Sequence, residues 1–222
     1  MPFHDRADAG RRLAKALLSY KNKAPIVLAL PRGGVPVAAE VAHALDAPLD
    51  LVLVRKIGVP FHPELAMGAV VDGAAPLIVR NEDVIEAARI SEADFASVCT
   101  RELAEIQRRR RLYVGERPHP QLKGRVAILI DDGIATGAST RAALRSVRKQ
   151  GPEMLILAVP VAPSETLRQL QGEADTIVCL ESYEEFGAVG FYYSDFRQVS
   201  DTEVREILAA LQPADSTSAV GR

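Results

Sequence analysis

The chain has 222 residues, 48% of them apolar and 25% charged, with a formal net charge of -2 and a sequence pI of about 6.1. That balance suits one folded α/β unit with an appendage and excludes a disordered chain, and near-neutrality supplies no overall field for nucleic acid or an anionic membrane. Cys99 and Cys179 are isolated thiols, the opening MPFHDRADAGRRLAKALL carries acids and no apolar signal core, and no run approaches the roughly 20 apolar residues of a membrane span, so the expected setting is the reducing cytoplasm, without structural zinc.

In chain order, residues 9 to 19 read as an amphipathic helix, 25 to 30 as a buried strand, 35 to 45 as a helix and 49 to 54 as a second strand. Short strands at 67 to 71 and 77 to 80 follow, joined by a DGAAP turn. Residues 81 to 115 hold two successive helix patterns, the second opened by Ser91 and Asp94 as an N-cap signal and carrying Phe95, Val98, Leu103 and Ile106 at roughly helical spacing. This insertion is a candidate lid or homodimer surface. Its end, Arg108 to Arg111, reads as a solvated helix terminus rather than a nucleic-acid patch. Ile128 to Ile130 form a strand, the stretch RAALRSVRKQ a helix, 154 to 159 and 176 to 180 two further strands, and 202 to 211 a last helix. Residues 213 to 222 are expected to be a disordered tail after a single domain spanning 1 to 212. Strands alternating with helices imply an α/β fold, a mostly parallel sheet covered on both faces.

The most informative stretch is ILIDDGIATGAST, residues 128 to 140. An apolar strand ends in Asp131 and Asp132, at the carboxyl edge where open α/β sheets take ligands. Small and hydroxylated residues, Ala135, Thr136, Gly137, Ala138, Ser139 and Thr140, then run into a helix, whose free N–H groups suit a phosphate monoester. Carboxylates that accept from a vicinal diol, next to a phosphate cradle, describe a socket for ribose 5-phosphate. A Walker B reading has no GxxxxGK[ST] to support it, and a haloacid-dehalogenase site would need DxDx[TV].

This stretch resembles the binding motif for 5-phosphoribosyl 1-diphosphate (PRPP) of the type I phosphoribosyltransferases. The resemblance implies their fold, a parallel sheet with a small hood, here residues 181 to 200. It also implies that Asp131 and Asp132 hold the ribose 2′- and 3′-hydroxyls and, indirectly through PRPP, Mg²⁺, while residues 135 to 140 hold the 5′-phosphate. Purine-salvage members often have an aspartate base where this chain has Ala135. Between the first strand and helix, LPRGG resembles the family's pyrophosphate loop, so Arg32 and Gly33 would meet the diphosphate and the Pro31–Arg32 bond would be cis at least with PRPP or pyrophosphate bound. Arg55 and Lys56, leaving the second strand, resemble the basic pair of adenine-type members. The family's longer catalytic loop with its Ser-Tyr pair is missing, and His62 and Glu64 occupy the connection, open to surface or site roles.

Six of the chain's eleven Phe and Tyr residues fall between Tyr183 and Phe196, either a ring-stacking wall or a packed cap. FGAVGFYYSDF resembles the nucleobase hood of hypoxanthine/guanine members, which assigns acceptor contacts to Phe186 and Asp195. The implied activity is that of a pentosyltransferase of nucleotide and nucleoside metabolism. Pyrophosphate at ribose C1 is displaced by a ring nitrogen, with Asp131, Asp132, Arg32 and Lys56 as the catalytic group. The rival reading is a non-catalytic PRPP sensor on the same fold, although neither a helix-turn-helix nor a broad basic face is present.

Overall fold

Successive side chains of a strand point to opposite faces, so strands without polar positions need cover on both. The computed structural model, which describes residues 2–73 and 75–211, provides that cover; the tail expected at 213 to 222 lies outside the described residues. The first half contains α1 (Arg6–Leu17), β1 (Ile26–Ala29), α2 (Gly34–Leu45), β2 (Leu49–Leu51), β3 (Val54–Val59), β4 (His62–Val71), β5 (Leu77–Arg80), α3 (Glu82–Ala87) and α4 (Glu92–Val114). The second contains β6 (Val126–Ile130), α5 (Ala138–Lys149), β7 (Met154–Pro163), α6 (Ser164–Leu170), β8 (Thr176–Tyr183) and α7 (Asp201–Ala210).

Five strands form a sheet in the order β2-β1-β6-β7-β8, every neighbouring pair parallel. Ile128 and Ile130 of β6 join a core with Leu13, Leu17, Val35 and Val41 of α1 and α2. Ala127 and Leu129 face the other way, onto Ala143, Leu144 and Val147 of α5. The sheet is mostly parallel and flanked by helices, as the sequence implied. This order reverses direction between β1 and β6, and their carboxyl ends form the crevice in which doubly wound sheets bind ligands.

Several expectations are corrected. The strand expected over 49 to 54 is two strands, because Asp72 interrupts it: the Asp72 carboxylate accepts from Leu53 N at 2.6 Å and its own N–H donates to Leu53 O at 2.9 Å. The chain there leaves the parallel sheet for an antiparallel one, β3-β4-β5. His62 and Glu64 thus lie on β4 of a hairpin rather than in a loop, and Phe61 at its tip is 87% exposed. The strand placed at 67 to 71 begins five residues earlier, at His62.

The two helices of 81 to 115 are present, and Ser91 caps α4 by accepting from Asp94 N at 3.1 Å. Phe95, Val98, Ile106 and Tyr113 enter the same core as β1 and β6, so α4 packs as one wall of that core. Nor is the arginine run wholly solvated. Arg110 is buried between Asp50 (2.9 Å) and Asp72 (3.3 Å), and Arg108 and Arg109 pair with Glu105. Helical phase explains the difference, since only one residue of four consecutive ones need face inward. Among the described residues no helix is long and apolar enough to cross a membrane.

Candidate functional site

The carboxyl ends of β1 and β6 lie side by side, with Leu30 N donating to Ile130 O at 2.9 Å. This brings the loop at 31–34 against the acids at 131 and 132. A Cβ on Gly33 would sit 1.9 Å from Asp132 Oδ2, and one on Gly34 would sit 2.8 Å from Ile130 O and 3.0 Å from Asp131 Cα. At Gly34 a side chain would meet fixed backbone, and at Gly33 it would displace the Asp132 carboxylate. The Pro31–Arg32 bond is cis. The Arg32 guanidinium turns toward the first turn of α7, 3.4 Å from Asp201 Oδ1, which also accepts from Tyr113 OH at 2.7 Å.

Asp131 and Asp132 are half-buried. Asp131 Oδ1 accepts from Asp132 N at 2.9 Å, and Asp132 Oδ2 accepts from Arg6 Nε at 2.7 Å. Burial, with the adjacent Asp132 charge, pushes the Asp131 carboxyl well above the usual range. Burial also pushes Asp132 up, opposed by the charge and hydrogen bond of Arg6. Behind them, Gly137 adopts a left-handed conformation (φ 75°) that opens α5, leaving Ala135, Thr136, Ala138 and Ser139 exposed around the amides of its first turn. Thr140, in the same first turn, is 3% exposed. Thr166 Oγ1 braces the loop from α6 by donating to Ala135 O at 2.8 Å.

Arg55 and Lys56 do not touch the acids. They line a groove of about 490 Å³ between the hairpin and α4, together with Glu64, Arg101 and Arg109. Arg55 is held by Glu102 at 2.6 Å, and Lys56 donates to Glu64 O at 3.1 Å. The hood aromatics largely pack on one another: Phe186 and Tyr183 each stack on Tyr192, with centroids 4.8 and 4.7 Å apart. Asp195 accepts from Arg197 N at 3.1 Å and, with Arg6 and Glu203, lines a cleft of about 130 Å³.

Sequence reasoning missed Arg6, Thr166 and Asp201, which lie far along the chain from the residues they contact and carry no motif. Tyr193 was visible only as one of the clustered aromatics; its hydroxyl donates to Asp132 O at 2.5 Å. Oxygen acceptors for a diol, amides for a phosphate and a glycine loop for a second anion thus meet at one sheet edge.

The sequence pattern of the phosphoribosyl transferase domain family matches residues 3–195. A Mycobacterium tuberculosis protein named "Putative phosphoribosyl transferase Rv0571c" is 47% identical over 202 residues, 91% of this chain and 45% of that protein. The chain thus spans about half the length of the curated relatives it matches. The crystal structure of TT1426 from Thermus thermophilus superposes with a TM-score of 0.78 at 42% identity, covering 96% of this chain and all of that one. AQ2163 from Aquifex aeolicus shares the fold alone, with a TM-score of 0.52 at 12% identity over 92% of this chain and 85% of its own.

Proposed function

The chain belongs to the phosphoribosyl transferase domain family, and on that premise we propose that it transfers ribose 5-phosphate from PRPP to a nucleobase or related nitrogen acceptor, releasing pyrophosphate. The observation that carries this reading is the contact of the Gly33 loop with Asp132, one strand end away from the Gly137-headed helix. PRPP carries a diol, a 5′-phosphate and a C1 diphosphate, and that junction offers each of the three a partner.

Asp131 and Asp132 accept the ribose hydroxyls and offset positive charge as C1 becomes oxocarbenium-like. Thr136, Ser139 and the amides opening α5 hold the 5′-phosphate. Gly33 lets the diphosphate approach the backbone, and Arg32 exchanges Asp201 for it. Arg55 and Lys56 form a basic wall further along, and Asp195 and Phe186 border the acceptor side. The hard oxygen donors of Asp131 and Asp132 suit Mg²⁺, which commonly binds through one or two carboxylates plus substrate phosphates. When bound with PRPP, Mg²⁺ neutralises charge on the departing diphosphate.

The test is calorimetric titration with PRPP and Mg²⁺, followed by pyrophosphate release with a panel of bases. Asp131→Asn with Asp132→Asn should fold and lose most PRPP affinity; unchanged binding refutes the assignment. PRPP binding with no release from any acceptor would favour the sensor reading, for which Ala135, in place of an aspartate base, is the motivating residue.

A further inference from the structure

We infer that Arg6 is a positioning residue for the ribose, acting through Asp132 by fixing which carboxylate oxygen remains open to a sugar hydroxyl. This rests on the reading of the site just given. Arg6 is the first residue of α1, where the helix dipole disfavours a cation. It has no part in capping, which Asp5 performs by accepting from Asp8 N at 2.7 Å. Yet the residue is only 9% exposed, and a buried guanidinium needs compensation.

All of that compensation points at the motif and the segment covering it. Nε donates to Asp132 Oδ2 at 2.7 Å, Nη1 donates to Arg197 O at 2.8 Å, and the guanidinium carbon lies 3.9 Å from the Phe196 ring centroid. The planar fork of arginine turns these contacts into one fixed orientation. The same segment grips the motif twice more: Tyr193 OH donates to Asp132 O at 2.5 Å, and Val189 fills the space a Cβ on Gly133 would take. Asp132 is thereby clamped at Oδ2 and at its carbonyl, and Asp131 Oδ1 is engaged by Asp132 N. Apart from the contact of the two carboxyls with each other, no other described residue donates to Asp132 Oδ1 or Asp131 Oδ2, so a sugar diol meets no competing side chain there.

A double-mutant cycle separates this role from simple stapling of the hood. PRPP affinity is measured calorimetrically for wild type, Arg6→Ala, Asp132→Asn and the double variant, with thermal unfolding alongside. Arg6→Ala should weaken PRPP by about tenfold or more in the wild-type background and by less than about twofold beside Asp132→Asn, since coupled residues are non-additive. Guanidinium ion at millimolar concentration should restore part of the Arg6→Ala affinity, and inorganic phosphate binding should be unchanged. If Arg6→Ala does not fold, Arg6→Lys takes its place in the cycle with the same criterion. Equal losses in both backgrounds, or none in either, overturn the inference while leaving PRPP binding in place; absence of PRPP binding by the wild type overturns the proposed function instead.

Discussion

Gly33→Ala tests the site at its tightest point. Gly33 has φ of -59°, so alanine meets no backbone strain there. Its Cβ, however, would lie 1.9 Å from Asp132 Oδ2 and 2.5 Å from Cγ, and ordinary contact begins at 3.4 Å. The carboxylate must retreat by about 1.5 Å, which disturbs its 2.7 Å hydrogen bond from Arg6 Nε. A hydrogen bond to a charged group is worth about 1.5–3 kcal/mol; losing the one that orients the Asp132 carboxylate should lower PRPP affinity by up to roughly ten- to a hundredfold. The assay is PRPP calorimetry paired with thermal unfolding. Gly34→Ala is the contrast, because its Cβ meets backbone, Ile130 O at 2.8 Å, and should cost stability instead. Gly33→Ala protein that melts normally and binds PRPP within about twofold of wild type would refute the reasoning.

Arg110→Met should lower stability by up to about 3–5 kcal/mol, read by urea unfolding, because it removes the cation buried between Asp50 and Asp72 and leaves Asp50 only Arg117 and Asp72 only Leu53 N. Burial raises the Asp72 carboxyl to about 6 from 3.8. Its proton is therefore kept longer in the folded state, so its contribution is fully present below about pH 4 and is lost as pH rises through 6. The stability of wild type relative to Asp72→Asn should fall across that window by up to about 3 kcal/mol, and a pH-independent difference would contradict it. Thr166→Val removes the brace on Ala135 O and should weaken inorganic phosphate binding a few-fold, at a cost of about 1 kcal/mol in unfolding. Asp201→Asn releases Arg32 from a half-exposed ion pair and should tighten PRPP by no more than about fivefold, since such pairs contribute up to about 1 kcal/mol; weaker binding would show that Asp201 aids the site.

The parallel sheet and the acidic end of its central strand were legible because β6 has no polar position and ends in two acids, a pattern that local chemistry alone explains. Gly33 was legible as a loop glycine, but its contact with Asp132 joins residues about a hundred positions apart and only the strand order supplies it. Arg6 was invisible for the same reason: an arginine in HDRADAG reads as surface until the hood folds over it. The second sheet escaped notice because LDLVLV reads as one apolar strand, and the interruption after Leu51 is imposed by Asp72, which lies just past the end of β4. The aromatic cluster was seen, yet whether rings stack on one another or face a ligand depends on side-chain placement that composition does not encode.

Asp72 also does something for the hairpin that follows β2. By engaging both backbone groups of Leu53, it rivets the root of the β3-β4 ribbon to the end of the parallel sheet. From that root β4 runs for ten residues, on the order of 33 Å of extended chain, to the exposed Phe61, and the register shifts on either side of Gly58 loosen the ladder near the far end. The ribbon is therefore anchored at its root by Asp72 and by β5, and least tightly laddered near its exposed tip. Pro60 and Phe61 lie at the far end of this arm from the acids at 131 and 132, so the length of the ribbon can vary without altering the strand ends that carry those acids.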